Sequence, residues 1–535
     1  MSEVAARTIT YKHARTRVRG QHLFWAATLA IAAVLAGALG WFLLAWPPHE
    51  DEALALFVGR ESFSGLLSTV ITERGGAPLH FLFAWGIVHA GGGLTELRIV
   101  SLVFAIASVP LIALLGGRLA GRAAGVVAAA LASGTWVLLF HGVYGRMYSL
   151  FLFTSLLSFL ALLSARERGG GRRFALWGLA LLATLASHPY AVLVVASQVL
   201  FVVVRRARPR ETLITLGAVF VFGAPFWWAD IVLRNRFDVG VGGGGRRLGS
   251  PASVLRYFWS VAGDFSAGQH AWSVPVLVLA LVGAVLLARR RRESVILMAC
   301  VIAVPAVAFT LATLNSSTSP EARHLIFALP FFSILLAVPL VELARARPPM
   351  TYALALAAII ALLVGEVRWA HERTPALFDG VPTAQARARE AAGAWLASTG
   401  RADDVLLGYE PVFLQAWESN RGFSRNVIPR ADPRLFATTL RGLHEPLGHG
   451  VWVLDASDTT NVRQRQTIPL ARPAPHADFD ARVFGPYLVI RSRRPLETTM
   501  RYVAASKKVM RLGRNLGIND ADVNLKAMLQ AESRL

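Results

Sequence analysis

Runs of about twenty apolar residues recur through the first two thirds of this 535-residue chain, and they constrain its fold more than any other feature. A helix of about twenty residues spans the roughly 30 Å hydrocarbon core of a bilayer. Only 16% of the residues are charged, below the roughly 25% typical of a soluble domain. The sequence therefore predicts a polytopic α-helical membrane protein.

About eleven transmembrane helices are expected. The apolar segments are 24–46, 78–90, 99–117, 123–141, 148–164, 174–187, 190–204, 212–230, 273–289, 294–314, 325–342 and 351–365. Segment 78–90 is the weakest, because it falls well short of the length needed to span. Counting sides from the cytoplasmic arginine loops makes this segment begin and end outside. Either it is a re-entrant or interfacial hairpin, or it crosses and one of the next two segments does not.

The formal net charge of +22 indicates orientation rather than binding to nucleic acid. Arginines cluster in short loops between apolar runs, at 118–122, 165–173, 205–210, 288–293 and 343–347. Short loops rich in Lys and Arg face the cytoplasm. The loops around 49–52, 141–148, 187–190 and 315–324, and everything after 366, are then expected on the extracytoplasmic side.

The chain divides into four predicted regions. Residues 1–23 form a cytoplasmic basic N-terminus, and 24–368 form a transmembrane domain with an amphipathic first outer loop, 47–77. Within that loop, 52–71 has the helical spacing of a helix lying on the membrane surface. Short apolar strands at 405–409, 451–455 and 487–492, with a helical pattern at 433–443, predict a small soluble extracytoplasmic α/β domain within 369–494. The charged tail, 495–535, is expected to be an exposed helix or disordered.

The stretch WPPHEDEALALF (46–57) places His49, Glu50, Asp51 and Glu52 at the mouth of a membrane segment. One interpretation is that the acids stabilise the positive end of the helix that follows, at about 0.3–1 kcal/mol. That role needs one acid, not three. The alternative is a carboxylate at the membrane boundary that takes a proton from an incoming hydroxyl.

Polar side chains at other predicted outer helix ends suggest a binding site for an anion. Lys and Arg are favoured in cytoplasmic loops, so arginines on the predicted extracytoplasmic side are unexpected. Interfacial anchoring, turn formation or neutralisation by Glu96 and Glu321 are the competing explanations. The candidates are Arg98, Arg146, Tyr148, His188, Tyr190, Arg323 and His324.

No cofactor is predicted from the residues. Cys300 is the only cysteine, which excludes an internal disulfide and a cysteine-based metal site. Histidine and acids cluster only at 49–52, so no metal site is predicted, although a divalent ion held by acids is the alternative. The glycine-rich stretch 240–249 is expected to be a flexible loop or a mobile cover over the site.

The order of these motifs resembles the GT-C membrane glycosyltransferases. The resemblance is carried by the acid pair in the first outer loop, APLHFLFAWGIVHAGG, LTELRIVSLVFA, GRMYSL and EARHLIFALP, and it covers about residues 20–345. More narrowly, the chain is similar to bacterial protein O-mannosyltransferase-like proteins of family 39 and to aminoarabinose transferases of lipid A.

This resemblance implies transfer of a sugar, with inversion, from a polyprenyl-phosphate carrier to an unknown cell-envelope acceptor. It also implies a location in the cell membrane, with the active face outside. Asp51 would be the base with Glu52 as the second acid, and Arg146 and Arg323 would lie near the lipid phosphate. Two departures stand out, since Gly145 replaces the acid or glutamine common before the arginine and Glu50 adds an extra acid.

The main rival is a lipid or glycan transporter or flippase without transferase activity. Its charged residues should lie within the membrane spans and line a pathway. Here they lie at the predicted span ends on one side, which favours a surface enzyme.

Reporter fusions test the predicted topology. A fusion at position 95 should report an extracytoplasmic location, and fusions at 120 and 170 a cytoplasmic one, because the arginine loops orient the helices. Paired phosphatase and fluorescent-protein reporters make the measurement. A cytoplasmic 49–52 loop would contradict the proposed active face.

Overall fold

The structure is a computed structural model, and it is mostly helical. It describes residues 2–206, 208–237, 248–269, 272–315, 320–346, 349–430, 432–456 and 478–534, without the side chains of 2–19, 236, 237, 315, 519 and 520. The predicted glycine-rich loop therefore lies largely outside the described residues, as do residues 316–319 of the loop 315–324.

The N-terminal two thirds of the chain form eighteen labelled α-helices within the described ranges. They are α1 (Ser2–Phe42), α2 (Glu50–Val58), α3 (Phe63–Ser68), α4 (Pro78–His89), α5 (Leu94–Leu119), α6 (Arg122–Gly134), α7 (Trp136–Val143), α8 (Tyr148–Arg168), α9 (Gly171–Ser187), α10 (Ala191–Arg205), α11 (Pro209–Phe222), α12 (Ala224–Phe237), α13 (Pro251–Asp264), α14 (Ser273–Arg290), α15 (Arg292–Ala312), α16 (Leu329–Arg345), α17 (Pro349–Arg373) and α18 (Pro375–Asp379). A π-helical turn (Thr69–Arg74) follows α3, and a 3₁₀ segment (Ala322–Ala328) precedes α16.

Seven helices of the described chain are long and apolar enough to cross a membrane, or nine if each bent pair forms one span. The bent pairs are α6 with α7, at 63°, and α11 with α12, at 58°. About eleven spans were expected. The difference corresponds to α9 and α10, which have only 17 and 15 residues. The doubtful segment 78–90 is the 12-residue helix α4, which is also too short to span. A multi-pass α-helical membrane protein is nevertheless confirmed.

The described chain separates into two compact units. The membrane unit comprises 1–44, 98–227 and 243–378, and the sheet unit comprises 45–97, 228–242 and 379–535. The first outer loop thus groups with the C-terminal part of the chain rather than with the helices that flank it.

The sheet unit contains a five-stranded mixed sheet flanked by helices. Its strands are β1 (Val405–Leu407), β2 (Asn426–Ile428), β3 (Gly450–Asp455), β4 (Phe479–Phe484) and β5 (Tyr487–Ser492). Its C-terminal helices are α19 (Thr383–Thr399), α20 (Pro411–Ser419), α21 (Pro433–Arg441), α22 (Thr499–Asn515) and α23 (Asn519–Glu532). The strand order is β2-β1-β3-β5-β4; β1 is parallel to β2 and β3, and β5 is antiparallel to β3 and β4. A small sheet in the C-terminal region is confirmed, and its unit also includes 45–97 and the tail 495–535, beyond the predicted bounds 369–494.

Alternating side chains along the strands supply two apolar cores, one on each face of the sheet. On one face, Leu406 and Val453 pack with α19, α20, α2 and α4. On the other, Leu407 and Trp452 pack with α21, α22 and α23. The sheet is therefore covered on both sides, as parallel strands require.

The prediction that 52–71 forms one amphipathic helix on the membrane surface is wrong. The segment breaks into α2, α3 and the π-helical turn, and Ala53, Leu56 and Phe57 of α2 lie in the core against the sheet. The run from Ala53 to Val58 is apolar on all sides, and a helix of that kind is buried rather than interfacial. Arg60, which follows this run, also holds the first outer loop to the sheet unit, because its Nη2 donates to the Ser424 carbonyl at 2.6 Å.

The charged tail is helical, but it is neither exposed nor disordered. Tyr502 of α22 is fully buried and stacks on Trp452 of β3, with ring centroids 5.8 Å apart. The Trp452 indole N–H also donates to Ser506 at 2.9 Å. The charged residues lie on the outer face of an amphipathic helix whose apolar face completes the core.

Removing the buried ring of Tyr502 should destabilise the sheet unit. We expect Tyr502→Ala to cost about 3–5 kcal/mol, as for other large buried aromatic side chains. Thermal unfolding of the full-length protein measures the change. The control is Met500→Ala on the same helix, where the side chain is 58% exposed and little should change. Equal unfolding temperatures in the two variants would contradict the packed tail.

Candidate functional site

The three adjacent acids of the first outer loop have different surroundings, beginning with Glu52. His49 is the N-cap of α2: its Nδ1 accepts from the Asp51 N–H at 3.1 Å, and Glu52 Oε2 accepts from the His49 N–H at 3.0 Å. This reciprocal pair is a capping box, which satisfies amide groups that have no partner within the helix. Glu52 is fully buried, so its carboxylate positions the first turn of α2.

Glu50 is held by a guanidinium from the sheet. Arg430 Nε donates to Glu50 Oε1 at 3.2 Å, and Arg430 Nη2 donates to Glu50 Oε2 at 2.7 Å. Arg430 Nη1 also donates to Glu410. One arginine therefore joins the extra acid of the first loop to the residue that precedes α20. This two-point geometry is the strong form of an Arg–carboxylate pair.

Asp51 lies between these two acids and is partly open to solvent, with 31% of its side chain exposed. Its Oδ2 lies 3.9 Å from Nδ1 of His49. That nitrogen accepts a hydrogen bond from the Asp51 backbone, so it carries no proton and the contact is not an ion pair. The three adjacent acids thus differ in their surroundings, with Glu52 buried in the capping box and Glu50 paired with Arg430.

In the membrane unit, the other predicted residues come together from three helix junctions. Tyr148 begins α8, His188 and Tyr190 lie between α9 and α10, and Arg323 and His324 lie just before α16. The rings of Tyr148 and His188 are 5.3 Å apart, and Tyr190 stacks on His324 at 4.5 Å. Arg323 lies over the Tyr148 ring, with Cζ 5.2 Å from its centroid. We call these residues, with Arg146 and His141, the junction cluster.

The junction cluster contains buried polar nitrogens that lack partners in the part of the chain described. These are both ring nitrogens of His141 and Nε2 of His188. Both histidines are almost fully buried. Because buried polar groups are normally hydrogen-bonded, such nitrogens indicate a place for a polar ligand or water.

Two guanidinium groups act on these imidazoles. The charges of Arg146 and Arg323 both interact with His141, His188 and His324. Arg323 donates to Glu321 Oε1 at 2.8 Å, so part of its charge is balanced. The cluster still holds more positive than negative groups, which suits an anionic ligand.

Arg98 lies near the start of α5. It is 1% exposed, and its Nη1 donates to the Leu43 carbonyl at 3.1 Å. One turn further along α5, Ser101 donates to the Arg146 carbonyl at 3.2 Å. Arg98 thus belongs to the helix that supports the backbone of the Arg146 loop.

Sequence reasoning missed three residues that the structure places beside its candidates. His141 begins the predicted outer loop 141–148, with its ring 4.5 Å from that of Tyr148, and a histidine in that loop was the signal. Glu410 and Arg430 come from the sheet and had no signal, because they meet Glu50 only through the tertiary fold.

No group of three or more His, Cys, Asp or Glu side chains in the described ranges is arranged to hold a metal ion. At the start of α2, Glu52 is held by the capping box and Glu50 by Arg430, a cation that a metal bound to Glu50 would have to displace.

The fold of the chain matches that of solved membrane glycosyltransferases. No family model and no curated protein matches the sequence. The apo crystal structure of ArnT, an aminoarabinose transferase from Cupriavidus metallidurans, matches with a TM-score of 0.54 at 14% identity, covering 89% of this chain and 98% of that one. The chain has the GT-C fold.

Two further structures, both of lipid-phosphate complexes, are similar to this chain. ArnT bound to undecaprenyl phosphate matches with a TM-score of 0.53 at 13% identity, over 88% of this chain and 97% of that one. The oligosaccharyltransferase AglB from Archaeoglobus fulgidus, in complex with an inhibitory peptide and a dolichol-phosphate, matches at 0.48 and 11% identity, over 80% and 69%. The expected GT-C resemblance is confirmed for the fold.

Proposed function

We propose that this GT-C protein is an inverting membrane glycosyltransferase that moves a sugar from a polyprenyl-phosphate donor to a cell-envelope acceptor. The observation that carries the proposal is the junction cluster, where two guanidinium groups act on buried imidazoles that have unpaired nitrogens. The similarity to ArnT, which was solved with undecaprenyl phosphate, supports the same ligand class.

The junction cluster holds the phosphate of the donor. Arg146 and Arg323 neutralise the charge that develops on the phosphate as it leaves, so no proton donor is needed. Tyr148 and His188 contact the phosphate or the attached sugar. Tyr190 and His324, stacked on each other, fix the position of the Arg323 turn. Arg98 supports the Arg146 loop from α5.

Asp51 is the base that takes the proton from the acceptor hydroxyl as the glycosidic bond forms. Its side chain is 31% exposed, whereas Glu52 is fully buried in the capping box and Glu50 makes a two-point pair with Arg430. His49 orients the first turn of α2 through the same box. Glu52 is thus a positioning residue and not a second base.

The active face and the sheet unit lie outside the cytoplasm in this proposal, in the plasma membrane. The arginine-rich loops support this orientation, since short loops of that composition are retained in the cytoplasm. The acceptor, whether protein, glycan or lipid, is reached from the same side.

Removing the guanidinium of Arg146 should weaken donor binding. We expect Arg146→Ala to lower the affinity for undecaprenyl phosphate about ten- to hundredfold, the worth of one charge-assisted hydrogen bond. Binding to the purified full-length protein in nanodiscs is measured by native mass spectrometry. The control is Arg368→Ala, which removes an arginine that is 80% exposed on α17. Equal donor affinity in both variants would argue against the phosphate role.

Asp51 and Glu52 should respond differently to loss of charge. We expect Asp51→Asn to reduce sugar transfer by about 10²–10⁴-fold, the usual contribution of a general base. Glu52→Gln should retain most activity, because glutamine also completes a capping box. Turnover is followed with a polyprenyl-phosphate-linked sugar and a cell-envelope acceptor fraction. If Asp51→Asn turned over like the wild type, Asp51 would not be the base. The same conclusion would follow if turnover were lost in Glu52→Gln alone.

A further inference from the structure

The sheet unit contains a cavity of about 360 Å³ that the junction cluster does not explain. Its walls include Leu407 of β1 and Val453, Leu454 and Asp455 of β3, with His49 and Glu50 on the side of the first loop. The volume falls in the range of small-molecule sites, roughly 300–1,000 Å³. All the residues that line it belong to the sheet unit.

The cavity lies at the carboxyl ends of parallel strands, where α/β folds usually bind ligands. Glu410 follows β1, Arg430 follows β2, and Asp455 ends β3. In the order β2-β1-β3, strand β1 lies between the other two. The chain passes from β1 to β2 on one side of it, and then to β3 on the other side. The crevice at such a topological switch point, between the ends of β1 and β3, is the common ligand site of open α/β sheets.

The charges in the cavity are nearly balanced. Arg430 is paired with both Glu50 and Glu410, so its positive charge is already neutralised. Asp455 and Arg389 add one further charge of each sign to the walls. An isolated phosphate would therefore find no excess of cations here, unlike in the junction cluster.

The cavity offers hydrogen-bond donors and acceptors side by side. The hydroxyl of Tyr487 is hydrogen-bonded by Gln385 and Arg389, and burial raises the pKa of Tyr487 above its ordinary value. Arg389 Nε is buried and has no hydrogen-bond partner in the described chain. Sugar hydroxyls both donate and accept, and they are satisfied by such a mixture of carboxylate, guanidinium and phenol.

We propose that this cavity binds a neutral sugar ring, the terminal residue of an acceptor glycan. The assignment rests on the proposed function in one respect, because it takes Glu50, next to the base Asp51, to lie on the acceptor side of the reaction. The acceptor is then a glycan or a glycosylated molecule, recognised through its hydroxyls by Asp455, Arg389 and Tyr487.

Saturation-transfer NMR on the full-length protein in nanodiscs tests the assignment. The probes are the methyl α-glycosides of glucose, galactose and mannose, with inorganic phosphate as a competitor. We expect at least one glycoside to bind, and Tyr487→Phe and Asp455→Asn each to weaken it about two- to tenfold, the worth of one hydrogen bond. The matched control is Asp480→Asn on β4, where the carboxylate is half-exposed outside the cavity.

Three results would overturn the assignment. They are the absence of glycoside binding in the wild type, equal binding in Tyr487→Phe and the control, and displacement of the glycoside by phosphate. Tyr487→Phe removes only a hydroxyl, so it keeps the test valid if Asp455→Asn does not fold.

The same samples separate this assignment from the proposed function. Both proposals are supported if the wild-type protein transfers sugar and the glycoside still binds to the Asp51→Asn variant. Binding without any transfer from a polyprenyl-phosphate donor contradicts the proposed function alone. Transfer without glycoside binding contradicts the sugar cavity alone.

Discussion

The proposed chemistry depends on positive side chains held beside buried imidazoles at three helix junctions. Withdrawing such polar groups from water costs free energy unless a partner compensates, and nitrogens of His141 and His188 have none in the described chain. The junctions hold Arg146 and Arg323 close enough to act on the same rings. A bound phosphate would satisfy the nitrogens and the guanidinium groups together, which gives this arrangement a functional reason.

Much of this arrangement is readable in the sequence, because long apolar runs and hydrophobic periodicity are local properties. The strands at 405–409, 451–455 and 487–492 correspond to β1, β3 and β5. The sequence also grouped Tyr148, His188 and His324, since helix ends on one side of a membrane meet at the same level. Strands β2 and β4 were missed. Strand β2 has only three residues, and β4 is a largely exposed edge strand, so neither carries a clear apolar pattern.

The acids of the first outer loop show where sequence reasoning stops. Glu50, Asp51 and Glu52 are adjacent and chemically similar, yet their roles differ because their partners differ. Arg430, which holds Glu50, is 380 positions away in the chain. The apolar run after the acids is likewise buried by a sheet more than three hundred residues later, so its amphipathic appearance was misleading. Local pattern does not contain such long-range contacts.

A density map of the protein in nanodiscs with undecaprenyl phosphate tests the central claim most directly. The account predicts phosphate density about 3 Å from the guanidinium nitrogens of Arg146 or Arg323, a normal hydrogen-bond distance. The unpaired imidazole nitrogens of His141 or His188 should then face the same ligand or a water bound to it. Phosphate density among the arginines of the loops at 118–122 and 288–293, with none at the junction cluster, would contradict the account.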